Sequence, residues 1–400
     1  MHYTSRATGR FGLLLIAYLA FIGLGLPDAI TGVAWPSMRR SFDLKQSGLG
    51  LFLALTAGSY LVSSALTGAA LRRMRVGTLL ALSCFTAVSG LVGWAFAPSW
   101  HVVLACAPLL GFSGGAIDST LNLVAATRFG ARQMNWLHAS YGVGATLGPL
   151  IMTVALTAPG GSWRFGVAAV AAVLAALGLL HLLTRRAWNE SNADAPSATP
   201  PSSNAAPSPT MIGTLGRGAL WLQIAAFVAI TGFEATAGQW SFAVLAEARG
   251  VDTATAGMLV GAYWASFTIS RVLAGLFVDR FGSVHLTRVA TLVALAGAAL
   301  FAIDLGTTPN AAGLVLAGLG VAPLFPGLMA ETPRRLGPAT AAHAIGFQVS
   351  GAILGAAAAP ALAGLLAERM GVGAAAGVLL VLGLSLVLLN ELLVAALDRD

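Results

Sequence analysis

One carboxylate, Asp118, stands in the stretch GFSGGAIDSTLNLVAATRFG, residues 111–130, which otherwise reads as a hydrophobic helix ending on Arg128. A charge at the centre of a bilayer costs roughly 2.5 to 3.5 kcal/mol even on the lenient insertion scale. An acid kept there points to a water-filled cavity and to a group that takes a proton on one side and gives it up on the other. Asn122 falls four residues after Asp118 and Gly114 four residues before it, so all three share one helical face. Asp28, after Pro27 in GLGLPDAITG, and Glu234, in GFEATAGQW, are two further acids in apolar runs. With His138, whose ordinary titration range spans neutral pH, they complete the proton-coupling candidates. The competing reading for each is a hydrogen bond between neighbouring helices.

Amides, carboxylates and aromatic faces are the groups that hold a hydroxyl-rich solute. The candidates for that role are Asp28, Asn122, Asn135, Tyr141, Gln239, Trp240, Trp264 and Gln348. Trp240 and Trp264 suit a membrane interface equally well. Arg271, a cation inside an apolar run, could neutralise Asp118 or Glu234 or reach for the membrane surface. Glu331, His343 and Glu391 fall at the ends of apolar runs and read as gate or interface residues.

The elements that must position these groups follow from composition. Of 400 residues 57% are hydrophobic and 9% charged, against about a quarter charged in a soluble domain. A spanning helix needs about 20 apolar residues, and runs of that kind predict twelve spans, the first near 11–36 and the last near 371–396. The first run is too long for a cleaved signal peptide. Residues 187–216, rich in Pro, Ser, Ala and Asn, predict a flexible linker between one six-helix bundle over 1–186 and another over 217–400. Arginines concentrate on the side of both termini, which predicts cytoplasmic ends. Arg39, Arg40 and Lys45 are local exceptions. The net charge of +7 is scattered between apolar runs, so a membrane accounts for it and no nucleic-acid partner is expected. Cys84 and Cys106 lie in apolar runs and read as small buried side chains.

The two halves are related. One offset of 207 residues superposes Gly68 on Gly275, Arg73 on Arg280, Gly111 on Gly318, Gly144 on Gly351 and Gly148 on Gly355. It also brings Tyr141 onto Gln348, and Glu234 within one position of Asp28. Both halves start on the same side and hold six spans, which makes a parallel repeat about an axis along the membrane normal.

Together these features resemble the major facilitator superfamily and, within it, the fucose:proton symporter family, over nearly the whole chain. AIDSTLN is similar to that family's acid followed four residues later by Asn, which puts its proton- and substrate-linked carboxylate on Asp118 and its amide on Asn122. QMNWLHASYGVGATLGP resembles the segment carrying Asn135, His138 and Gly144. GFEATAGQW and YWASFTISRVLAG are similar to a broader branch, with Glu234, Trp240, Trp264 and Arg271 at motif positions. GLFVDRFGS, residues 275–283, fits the superfamily loop Gly-x-x-x-Asp-Arg-x-Gly and makes Asp279 and Arg280 a candidate polar latch. In the first-half copy Arg72 stands where the acid would be. The family's first-span acid would fall on Gly32, one turn after Asp28.

The resemblance implies an all-α membrane protein with twelve transmembrane helices in two six-helix bundles related by a pseudo-two-fold, a multi-pass protein of a bacterial inner membrane, acting as a monomer. Its expected function is import of a monosaccharide or related polar solute with a proton, by alternating access. A proton-driven exporter of amphipathic compounds and a passive sugar uniporter are the alternatives. With no phosphate-cradling loop, metal-spaced cluster or nucleophile–base pair in the sequence, no enzyme, cofactor or metal is expected.

Overall fold

Backbone polar groups have no water partner inside a bilayer, so a lipid-soluble chain satisfies them as helices. The computed structural model describes residues 2–128, 131–188, 215–216 and 218–397. Its helices are α1 (His2–Ser41), α2 (Gly48–Leu71), α3 (Val76–Ala95), α4 (Trp100–Arg128), α5 (Ala131–Thr157) and α6 (Trp163–Leu183) in the first half. The second half holds α7 (Gly218–Ala243), continued by a π turn at Val244–Ala248, then α8 (Thr253–Phe281), α9 (Ser283–Ile303), α10 (Thr307–Val321), α11 (Leu324–Ala330), α12 (Thr332–Leu336), α13 (Pro338–Met370) and α14 (Ala374–Leu397). Among the described residues, twelve stretches are long and apolar enough to cross a membrane, from Gly12–Ser41 to Ala374–Ala396. The fold is therefore the all-α, twelve-span architecture expected. An even number of crossings returns the chain to the face from which it started.

The first helix is longer than its apolar run, passing through Pro27 and Pro36 to end on Arg39 and Arg40. Neither proline stops it, and the Thr31 hydroxyl donates to the Pro27 carbonyl at 3.3 Å. Gly337, at φ 82°, separates α12 from α13 in a left-handed conformation that costs a glycine little.

The chain forms two compact units. One comprises Met1–Ala195 with Ser241–Ala265, the other Pro196–Trp240 with Ser266–Asp400. In the first unit α1 packs on α5, α2 on α4, and α3 on α4 and α6. Its core gathers Phe21, Leu80, Cys84, Leu121, Val124 and Trp188. Trp188, at the edge of the proline-rich segment, is buried there, and its carbonyl accepts from Arg128 at 2.9 Å. In the second unit α9 packs on α10 and α14, and α13 on α12 and α14. Both cysteines are buried and free.

Glycine sets how closely the helices cross. A Cβ on Gly144 of α5 would lie 2.0 Å from the Ile22 carbonyl oxygen of α1, and one on Gly25 would lie 2.2 Å from that of Tyr141. The second unit repeats the device. A Cβ on Gly355 of α13 would run into the Val228 carbonyl of α7, one on Gly232 of α7 would crowd Ala359, and the Thr231 hydroxyl donates to the Ala352 carbonyl at 2.6 Å. Gly111 and Gly115 likewise let α4 close on Thr56 and Tyr60 of α2, while Ser63 donates to the Phe112 carbonyl at 2.6 Å.

Candidate functional site

Asp118 sits three residues beyond the Gly115 crossing, so α4 delivers its carboxylate against α2. The Tyr60 hydroxyl donates to Oδ2 at 2.7 Å and the Asn122 amide donates to Oδ1 at 2.9 Å. Each oxygen of the acid thus has a donor. On the other helix pair, the Gly25 and Gly144 contacts hold α5 against α1, and the Tyr141 hydroxyl donates to Asp28 Oδ2 at 3.2 Å. Asp28 and Tyr141 both act electrostatically on Tyr60, which joins the two pairs into one polar cluster of Asp28, Tyr60, Asp118, Asn122 and Tyr141. Tyr60 was not among the sequence candidates. Its only signal was a phenol inside an apolar run, and that gives no partner.

His138 lies on the same helix as Tyr141, its ring edge-on to Phe21 with centroids 5.5 Å apart. The side chains of Asn135 and Asp279 lie outside the described residues, so the Asp279 latch has no described geometry; Arg280 is exposed.

In the second unit, Arg271 of α8 answers the question its sequence left open. Its Nη2 lies 3.7 Å from Glu234 Oε2 of α7. The guanidinium also stands 4.3 Å over the Phe267 ring and donates from Nε to the Ala322 carbonyl at 3.4 Å. Here an acid is neutralised by a cation, whereas in the first unit neutral donors serve Asp118.

Four candidate ligands, Gln239, Trp240, Trp264 and Gln348, are buried. Gln348 is 0% exposed; its amide donates to Gln223 Oε1 and, at 3.0 Å, to Thr332 Oγ1, which ties α13 to α7 and α12. Trp240 is 1% exposed and donates its indole N–H to the Pro360 carbonyl at 2.9 Å. Trp264 is buried edge-on against Tyr263 at 5.1 Å, and Gln239 is buried on α7. In this structure the polar groups of Gln348 and Trp240 are engaged with neighbouring helices.

A further network closes the first unit at the face opposite the termini. Glu247, in the π turn after α7, accepts from Arg39 at 3.0 Å, from Gln46 at 3.0 Å and from Arg40 at 3.4 Å. The Trp35 indole fixes Gln46 by donating to its Oε1 at 3.0 Å. Arg39 and Arg40, local exceptions to the charge bias, are thus occupied by an acid more than 200 residues away in sequence. Of the outlying acids, Glu331 pairs with Arg334 at 3.3 Å and Glu391 with Arg288 at 2.5 Å, while His343 is exposed.

Membrane-buried acids served by hydroxyls and amides, on glycine-jointed helices in two similar halves, are the equipment of a carrier. The sequence profile of the Major Facilitator Superfamily matches residues 14–312 and 222–399. The chain belongs to this superfamily. The family and the solved structures of the same fold are transporters, not enzymes.

Among relatives of this superfamily member, the mouse protein "Sodium-dependent glucose transporter 1A" is 29% identical over 146 residues, 36% of this chain and 34% of that one. This chain thus matches only about a third of that relative's length. The Saccharomyces cerevisiae protein "Bypass of stop codon protein 6" is 23% identical over 396 residues, 90% of this chain and 78% of its own. Among solved structures, the nucleoside transporter NupG superposes with a TM-score of 0.75 at 14% identity, covering 98% of this chain and all of its own. A bacterial homologue of the lysosomal transporter Spinster gives 0.69 at 16% identity, with 98% and 95% covered. At such identities the structures report the fold alone.

Proposed function

We propose that this transporter imports a monosaccharide or related hydroxyl-rich solute together with a proton, by alternating access of its two halves, in a bacterial inner membrane with both termini in the cytoplasm. The observation that carries the reading is the Asp118 carboxylate held by Tyr60 and Asn122 beside the Asp28–Tyr141 pair. Hydroxyls and amides both donate and accept, so they can serve a carboxylate before and after it takes a proton. The same groups match the alternating donors and acceptors of a sugar ring. Asp28 is exposed, which leaves it accessible to a polar solute. Relatives named as glucose transporters and a fold shared with a nucleoside transporter support a hydroxylated ring as cargo.

Sodium is the second reading, favoured by the name of the mouse relative. A cation needs oxygen lone pairs turned towards it. Donors at both oxygens of Asp118 support a proton instead.

The test is uptake of radiolabelled glucose, fucose and a nucleoside into proteoliposomes under an imposed pH gradient or an imposed sodium gradient. The expected result is accumulation of one of these solutes driven by the pH gradient, lost in Asp118→Asn while solute exchange persists. Accumulation that follows only sodium, or full accumulation by Asp118→Asn, overturns the proton assignment. Uptake that ignores both gradients makes the chain a uniporter.

A further inference from the structure

Three spans of the first unit meet on the face opposite the termini, where α1 ends at Ser41, α5 ends at Thr157 and α6 begins at Trp163. Between them lies a cavity of about 380 Å³, inside the range of about 300 to 1,000 Å³ typical of small-molecule sites. Its walls bring Ser37, Arg40 and Ser41 of α1 against Leu156 of α5 and against Ser162 and Trp163 at the start of α6. Arg40 and Ser41 are exposed, so the cavity can be entered from outside the protein.

The polar groups it offers are donors. The Ser37 hydroxyl oxygen accepts from Arg40 Nη2 at 3.2 Å, and the Ser162 hydroxyl oxygen accepts from the Arg164 backbone N–H at 3.2 Å. Each hydroxyl hydrogen is left to be given. The Trp163 indole donates to Ser41 Oγ at 3.1 Å, and that hydroxyl donates to the Ser37 carbonyl at 2.9 Å; these two bonds hold the walls together. Arg40 carries five N–H donors, and its one acid contact is Glu247, at 3.4 Å. The same carboxylate serves Arg39 and Gln46, each at 3.0 Å, so one negative charge is divided between two guanidinium groups. Arg164 adds a further cation beside the cavity, 4.4 Å over the Trp163 ring, and gives its hydrogen bonds to the Ala95 and Ala97 carbonyls. Among the described residues no acid lines the cavity.

A neutral sugar would turn some of its own donors against this wall of donors. The complementary group is an oxyanion, with several acceptor oxygens and a charge for Arg40. One guanidinium and two hydroxyls on two helices suit the tetrahedral oxygens of phosphate better than the two in-plane oxygens of a carboxylate. Two residues further into their spans, Val154 and Phe165 are 68% and 62% exposed, an apolar surface suited to acyl chains. Basic pockets between membrane helices meet lipid headgroups in this way.

We propose that this cavity is a phosphate-binding site centred on Arg40, with Ser37 and Ser162 as further donors, filled by an anionic lipid headgroup or by a soluble phosphorylated compound. A bound phosphate supplies the charge that Glu247 shares out, and it ties the end of α1 to the start of α6. The site is separate from the Asp118 cluster and does not depend on the cargo proposed above.

The test measures thermal unfolding of the purified full chain in phosphatidylcholine nanodiscs, in nanodiscs with about a third phosphatidylglycerol, and in phosphatidylcholine nanodiscs with millimolar inorganic phosphate. A ligand that binds the folded state raises its melting temperature, so the wild type should rise by several degrees in one of the last two conditions. A rise with phosphatidylglycerol only identifies the lipid source, and a rise with phosphate identifies the soluble one. Arg40→Gln should lose the rise. Leu156→Trp, which fills the cavity without touching a charge, should lose it too; if that variant does not fold, Arg40→Gln carries the test. Lys45→Gln, at an exposed cation of the same face outside the cavity, should keep it. No rise in either condition, a rise retained by Arg40→Gln or by folded Leu156→Trp, or a rise lost equally in Lys45→Gln overturns the site.

Discussion

Tyr60 links the two helix pairs of the first unit, because one phenol donates to Asp118 while interacting with Asp28 and Tyr141. A hydrogen bond to a charged acceptor contributes about 1.5 to 3 kcal/mol, so Tyr60→Phe should reduce gradient-driven uptake about tenfold or more while the protein folds normally. Unchanged uptake kinetics in that variant would remove Tyr60 from the mechanism. Gln348 supplies the opposite case. Gln348→Leu leaves Gln223 and Thr332 buried without their partner and should lower stability by about 1 to 3 kcal/mol, read as a lower melting temperature, with the apparent substrate affinity unchanged. A fall in affinity at constant stability would make Gln348 a ligand. The sequence could single out Asp118 and Asn122 because their spacing alone puts them on one face. It could not separate Gln348 from a ligand, since a polar side chain inside an apolar run looks the same whether it meets a solute or another helix.

The helices themselves were legible. Apolar runs of about twenty residues predict them within a few positions because the bilayer thickness sets their length. The shared glycines were visible too, but their purpose was not: Gly144 of α5 and Gly355 of α13, one turn apart in the repeat, each let a carbonyl of the facing helix come close. Gly144→Ala would push its methyl into the Ile22 carbonyl, and overpacking of this kind costs about 1 to 3 kcal/mol. Gly68→Ala, with nothing within 4 Å of the new methyl, should be neutral or slightly stabilising. A thermal-unfolding comparison of the two variants checks the assignment, and equal melting temperatures would contradict it. The repeat stops at the scaffold. The offset that matches the glycines places Phe267 and Phe325 at the positions of Tyr60 and Asp118. Phe325 packs against Phe227, and Phe267 lies under Arg271. Duplicated crossings therefore carry different chemistry, an acid with neutral donors in one unit and an ion pair in the other.

A carrier that admits solute from either side must open, in turn, the face opposite the termini, where Glu247 holds Arg39, Arg40 and Gln46. Glu247→Gln keeps the shape and removes the charge, so hydrogen exchange should quicken about tenfold in peptides covering residues 35–48 and 244–252, with little change in α3 or α6. Unchanged exchange there would mean that the network does not limit opening. No motif announced this network. Its acid and its arginines stand far apart in sequence, and only the fold brings them together.

The π turn that presents Glu247 has its own consequence. It accommodates one residue more than an α-helical turn would, and successive residues of an α-helix are set about 100° apart around the axis. Relaxing Val244–Ala248 to ordinary α-helix would swing the carboxylate by roughly that angle and carry it off the arginines without breaking the rod. The end of this helix can act as a key that releases its lock by turning in place.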